Sequence, residues 1–271
     1  MSNDKSQGKI KTMFAAIVIP VLILISFLFY YIVLGDPANF EGNDPNGHPV
    51  KEGIGSWFGT IYKGGVIVPI LIAVNLIIIT FSIERLLTIS KAKGKGNVDT
   101  FVRNIRTMLA ADDIDNAILE CDKQRGSTAN VIRSGLVKYK HVMQEPGLDK
   151  EEKIAAIQKE LEEATALELP MLSKNLVIIS TCASISTLIG LIGTVIGMIR
   201  AFKALAQAGA PDTAALSTGI SEALINTALG IIGSCIAIIM YNYFSNKIDT
   251  LTYGIDEAGF SVVQSFASKH Q

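Results

Sequence analysis

The sequence predicts an all-α, polytopic membrane protein with four transmembrane helices and a helical cytoplasmic domain. Three observations carry that prediction. The 271 residues are 49% hydrophobic and only 18% charged, and the apolar residues are clustered, as in membrane proteins. Four runs are long enough to cross a hydrocarbon core, which takes about 20 apolar residues at roughly 1.5 Å each. The large polar segment between the second and third runs carries apolar residues at helical spacings of three and four. The net charge of −1 offers no signal for nucleic acid.

In chain order, residues 1–12 are a short polar N-terminus with Lys5, Lys9 and Lys11 against Asp4. Met13 to Leu34 is free of charge and is the first expected span (13–34). A cleaved signal peptide is the competing reading. The run is longer than a usual apolar core of such a peptide, and no small-x-small site follows in LGDPANF, which favours a retained span. Residues 35–65 read as an outer loop, rich in Gly, Pro, Asn and Asp. Trp57, Phe58 and Tyr62 near its end suit a membrane–water boundary. The second span is expected over 66–83, with Pro69 and Asn75 inside it.

Residues 84–174 hold 15 Lys/Arg and 15 Asp/Glu. Arg85, Lys91, Lys93 and Lys95 lie beside the second span, so the positive-inside rule places this segment, and with it the N-terminus, in the cytoplasm. Phe101, Ile105 and Met108 share a helical face, as do Ile114, Ala117, Ile118 and Cys121, and then Val131, Ile132, Leu136 and Tyr139. Gly126 and Pro146-Gly147 divide these pieces. Asp149 and Glu152 have the spacing of a capping box for a helix over 150–169, and Pro170 is expected to kink or break the chain before the third span.

The third and fourth spans are expected over 175–205 and 216–246, with an outer link over 206–215 turning at Gln207 to Pro211, and a helical cytoplasmic tail over 247–271. Arg200 and Lys203 close the third span on the outer side. Ser180, Ser184, Thr187, Gly190, Thr194 and Gly197 recur at helical spacings in one run, and Gly219, Glu222, Asn226, Gly230, Gly233 and Ala237 in the other. Such spacing predicts a small, polar face on each helix that turns from lipid toward other helices or water.

Within these spans Glu222 is the one acid deep in an apolar run. A charge at the bilayer centre costs at least about 2.5–3.5 kcal/mol on insertion scales, so it needs polar surroundings or a proton. Asn226 and Thr227 share its side. A helix–helix hydrogen bond without a transport role is the alternative. For Thr194 and Thr227 the alternative is a back-bond to the carbonyl four residues earlier. Gly190, Gly193, Gly197, Gly230 and Gly233 read as close helix packing, with one G-x-x-x-G at Gly193 and Gly197.

Cys121, Cys182 and Cys235 are widely spaced and odd in number, which argues against a disulfide framework or a metal site. His48, His141 and His270 are scattered. No nucleophile elbow, phosphate loop or zinc motif occurs, so neither cofactor nor catalytic residue is expected. An intramembrane protease would need a Ser/His set, paired Asp or H-E-x-x-H inside the spans, and none is there.

The segments STLIGLIGTVIGMIRAF (186–202) and GISEALINTALGIIGSCIAIIMYN (219–242) together resemble the MotA/TolQ/ExbB proton-channel family, more closely its ExbB/TolQ branch. Glu84-Arg85 and the pattern from Asp113 to Leu136 are similar to the family's cytoplasmic portion, giving a channel region of about 84–267. Residues 1–64 lie outside the likeness. The resemblance implies an inner-membrane homopentamer whose last two spans line a pore. Two copies of the single helix of an ExbD/TolR-like partner would stand in that pore, and the proton-carrying acid would belong to the partner. It implies that Thr194, Thr227 and Glu222 occupy the family's pore threonine and glutamate positions, with Thr187 and Asn226 on the same polar stripe. Thr187 stands where the family has proline, and the first span is additional to the three usual in the ExbB/TolQ branch.

The implied function is conversion of proton-motive force into outer-membrane transport or envelope work, with a TonB-like protein as a further partner and lipid around the spans. A flagellar-stator-like, gliding or secretion motor of the same family is one alternative, and a structural scaffold without ion conduction is another.

Overall fold

The structure is a computed structural model. It describes residues 2–45, 47–145, 147–206 and 213–269. The described residues contain no strand, only an isolated bridge between Phe40 and Pro49. Among the described residues nine α-helices follow in order: α1 (Ser2–Phe29), α2 (Ile54–Tyr62), α3 (Val68–Ala92), α4 (Val98–Ala110), α5 (Ile114–Gln124), α6 (Ser127–Met143), α7 (Lys150–Ser173), α8 (Leu176–Ala206) and α9 (Thr213–Lys269). Among the described residues four helices are long and apolar enough to cross a membrane, as the expected fold class requires. The chain divides into two units, Met1–Ser82 with Val177–Tyr241 and Ile83–Leu176 with Asn242–Gln271.

In the first unit α1 ends in a π-helical turn, Tyr30–Leu34, closed by the Gly35 N–H donating to the Tyr30 carbonyl. The segment expected to be loop is built into a compact cap on this end. Asn39 donates through Nδ2 to the carbonyls of Val33 (2.8 Å) and Leu34 (3.1 Å), two of the orphan acceptors that every helix end leaves. Phe40 is buried, and Tyr30 stacks on Tyr62 with ring centroids 4.7 Å apart. The helix α2 was not foreseen. Its Gly and Ser residues read as turn chemistry, yet Phe58, Ile61 and Tyr62 pack on a small core of Tyr30, Leu34 and Val68, and burial outweighs local propensity.

The second unit packs α4 to α7 and the C-terminal part of α9 around one apolar core. Phe101, Ile105, Leu109, Ile132, Leu136, Val142, Ile157, Val262 and Phe266 are almost wholly buried. Tyr139 meets Phe266 edge-on at 4.9 Å. The Asp149 capping box is complete: its side chain accepts from the Glu152 N–H, and the Glu152 side chain accepts from the Asp149 N–H. Gly126, with φ of +87°, caps the start of α6.

Pro170 does not break α7. The helix continues to Ser173, and the break falls at Asn175, whose φ of +65° is in the left-handed region that Asn tolerates. Arg85, only 2% exposed, donates to the carbonyls of Leu172 (3.0 Å) and Met171 (3.4 Å) and pairs with Glu84. Glu84 in turn accepts from the Asn175 amide. A cation on the last carbonyls of a helix satisfies orphan acceptors and complements the helix dipole, so Glu84-Arg85 moves the helix end past the proline.

Two expected features fall outside the described residues, the turn over Gln207 to Pro211 and Pro146. The tail expected from residue 247 is continuous with the fourth span in α9.

Candidate functional site

The antiparallel pair α8 and α9 carries every site residue singled out in the sequence. Glycine sets how closely the two helices approach. A Cβ on Gly190 would lie 3.1 Å from the Gly230 Cα, and one on Gly197 would lie 2.8 Å from the Gly219 carbonyl oxygen. Both distances are too short for any larger residue without separating the helices. Gly193 packs on the Asn226 side chain, and Gly233 faces Ser186 and Asn75 of α3.

The two polar stripes do not behave alike. On α9, Gly219, Glu222, Asn226, Gly230, Gly233 and Ala237 all lie on one buried face. On α8 the buried face is Ala183, Ser186, Gly190, Gly193, Gly197 and Ala201, while Ser180, Ser184, Thr187 and Thr194 stand on the adjoining, partly exposed flank. Spacings of three and four cover an arc of roughly 100° or more, wide enough to span two neighbouring faces.

This division sorts the five polar candidates into two groups. Glu222 and Asn226 turn inward against the chain's own elements. Glu222 is 4% exposed, and its Oε1 accepts from Arg200 Nη1 at 2.5 Å. Asn226, wholly buried, donates from Nδ2 to the Gly64 carbonyl at 2.9 Å. The next residue, Gly65, has a φ of +76°, and a side chain there would run into the Glu222 carboxylate. Its backbone conformation favours glycine at Gly65, and any side chain there would displace the Glu222 carboxylate. Together these groups pin α9 to α8 and to the turn that opens the second span.

Thr194, Thr227 and Thr187 form the second group, all partly exposed. Thr194 Oγ1 and Thr227 Oγ1 are in direct hydrogen-bond contact. Each also back-bonds within its own helix, Thr194 to the Gly190 carbonyl and Thr227 to the Ala223 carbonyl, both at 3.2 Å. The back-bond alternative therefore holds, and the hydroxyls meet across the helix pair as well.

Sequence reasoning missed Arg200 as the partner of Glu222 and treated it only as the end of a span. The signal was available. Two opposite charges 22 residues apart on consecutive antiparallel spans, joined by a short link, fall at the same depth.

A model of the MotA/TolQ/ExbB proton channel family matches residues 124–257. The chain belongs to this family. Among curated relatives, the Tol-Pal system protein TolQ of Pseudomonas aeruginosa is 32% identical over 121 residues, 45% of this chain and 52% of that protein. The biopolymer transport protein ExbB of Salmonella typhimurium is 37% identical over 70 residues, 26% of this chain and 29% of that protein. A putative ExbB-like biopolymer transport protein of Synechocystis is 35% identical over 86 residues, 31% of this chain and 41% of that protein. The chain thus spans about half, or less, of the length of these relatives. It is a multi-pass membrane protein of the ExbB/TolQ-like branch. The matched stretch contains Thr187, Thr194, Arg200, Glu222, Asn226 and Thr227 but not the Gly64–Gly65 turn.

Proposed function

We propose that this chain is the pore-forming subunit of an inner-membrane motor that uses proton-motive force, with an ExbD/TolR-like single-span partner, to energise outer-membrane transport or envelope work. The observation that carries the reading is the hydroxyl contact between Thr194 and Thr227 on a partly open flank of two apolar helices. In an assembled ring, which the proposal takes as a homopentamer, that flank faces the central pore and two partner helices. The N- and C-termini and the second unit are cytoplasmic.

In this mechanism the proton is carried by an acid of the partner. A charge crossing the full membrane potential exchanges about 2.3 kcal/mol per 100 mV. The threonine hydroxyls offer donors and acceptors to that acid while it is charged and lower its desolvation cost. Glu222, held by Arg200, acts on the geometry and local field of the outer end rather than carrying the proton. Protonation of the partner's acid changes which helix pairing is favoured, and that difference drives movement of the partner.

Thr227→Val tests the reading, because it preserves shape and removes the hydroxyl. Proton-dependent function and proton flux in vesicles are expected to be lost while the variant still assembles and co-purifies with its single-span partner. Normal flux in an assembled Thr227→Val complex refutes the role of the pair.

A further inference from the structure

The start of α6 leaves buried donors without acceptors. Its N-cap is Gly126, which has no side chain to cap with. The N–H groups of Ser127, Thr128 and Ala129 find no acceptor among the described residues, and Asn130 is the first to bond back, to the Gly126 carbonyl at 3.0 Å. Every helix leaves its opening N–H groups without partners of its own, and a side chain, water or a ligand takes them. Here Ser127, Thr128 and Ala129 are 5%, 3% and 1% exposed. The Thr128 hydroxyl is buried and also has no partner among the described residues. A helical Cα–Cβ bond tilts toward the N-terminus, so this hydroxyl leans back onto the same turn. The usual bond of a helical threonine, to the carbonyl four residues earlier, is not made. That carbonyl, of Gln124, lies before the helix and accepts from the Lys95 N–H at 2.7 Å.

A basic loop is laid against this turn. A side chain on Gly126 would run into the Ala92 carbonyl and the Gly94 backbone, and Gln124 donates from Nε2 to the Lys93 carbonyl at 3.3 Å. Residues 91–97 and 124–130 together carry Lys91, Lys93, Lys95 and Arg125 and no acid. Glu168 accepts from the Asn130 amide at 2.9 Å, beyond the opening turn.

We propose that the opening turn of α6, with Thr128 and the adjoining 91–96 loop, is a binding site for a phosphate group. The backbone N–H groups and the Thr128 hydroxyl donate to its oxygens. The dipole of a 17-residue helix favours negative charge at this end, and the lysine and arginine side chains supply the counter-charge. Water satisfies the same donors but gives the four cations no counter-charge. The 91–96 loop follows the second span closely, so the phosphate belongs to an inner-leaflet phospholipid or to a soluble phosphate compound, which present the same oxygens. The site stands apart from the threonine pair and does not depend on proton flux.

Hydrogen exchange of the full-length protein, purified in a maltoside detergent and stripped of phospholipid, tests the site. Inorganic phosphate is titrated in one arm and dioleoylphosphatidylglycerol in mixed micelles in the other, each against chloride at the same ionic strength. The amides of residues 127–129 are expected to exchange about tenfold more slowly or better in at least one arm, the worth of a hydrogen bond to a charged group. Slowing by phosphate, with or without slowing by the lipid, identifies a soluble compound as a ligand, and slowing by the lipid alone identifies a headgroup. Thr128→Val keeps the shape and removes the hydroxyl. Ser127→Pro removes one N–H at a position where proline suits a helix. Lys93→Gln with Lys95→Gln changes only exposed positions. Each is expected to raise the probe concentration needed by about tenfold, with exchange elsewhere in α6 unchanged. No slowing in either arm shows that water alone serves the turn and overturns the proposal. Slowing that all three variants retain, or that extends equally to α4, reports general binding of anions to a basic surface and overturns it as well.

Discussion

Replacing Arg200 by Gln strips the counter-charge from a carboxylate that is 5% exposed, and the cost follows from the geometry. Two unit charges about 4 Å apart attract by about 4 kcal/mol at an effective dielectric constant near 20. The Arg200 side chain is itself 51% exposed, and solvent screening on that side reduces the net effect to about 2 kcal/mol. Arg200→Gln is therefore expected to destabilise the first unit by about 2 kcal/mol, and Glu222→Gln by about 1–2 kcal/mol. The double variant should cost little more than the larger single change, a coupling of at least about 1 kcal/mol. Unfolding titrated with sodium dodecyl sulfate in mixed micelles reads this directly. Trp57 is the one tryptophan of the chain and belongs to the same unit, so its emission reports on that unit alone. If the two single costs add to within about 0.5 kcal/mol in the double variant, Arg200 and Glu222 do not act as a pair and the account of the outer end fails.

Gly65→Ala is expected to cost about 3 kcal/mol. About 1–2 kcal/mol comes from a Cβ at a φ of +76°, and the rest from pushing Glu222 off Arg200. In a Glu222→Ala background only the conformational part should remain, and an equal cost in both backgrounds would contradict the contact. Cys121 makes a prediction in the second unit, where burial pushes its thiol up to about 12. The thiolate is the reactive form, so iodoacetamide at pH 8 should leave Cys121 unmodified in the folded protein and label it after denaturation, as read by mass spectrometry. Because the folded value lies above the ordinary value of 9.0, the thiol costs no stability below about pH 9, and stability is lost as pH rises from there toward 12. Cys121→Ala should lack that loss, and an identical alkaline decline in both proteins would show that Cys121 ionises no later in the folded state.

The threonine pair shows how far reading the chain could go. Its membership of two apolar helices follows from composition, and its place in a family motif follows from the residues quoted around it. That Thr194 and Thr227 meet each other, rather than only their own helix carbonyls, needed the register between α8 and α9. Glu222 and Asn226 make the opposite case. Periodicity put them on one polar stripe with the threonines, but the glycine contacts rotate that stripe inward, onto Arg200 and the Gly64 carbonyl. The turn they hold lies more than 150 residues away in the chain, beyond the reach of any local pattern. The cap built by Asn39, Phe40 and α2 was likewise hidden, because its turn-forming residues are stabilised by burial against Tyr30 and Leu34.

The sequence by itself determined the all-α membrane class, the helical character of the polar segment and the family. These depend on the length of apolar runs, on helical period and on residues adjacent in the chain. Tertiary structure alone decided which polar groups pair, which stay open and where α7 ends. Those outcomes depend on the approach of two backbones at glycine and on ion pairs and carbonyl contacts between residues 22 to 162 positions apart. A one-dimensional period fixes the direction of a side chain around its own helix, but only packing fixes what stands in that direction.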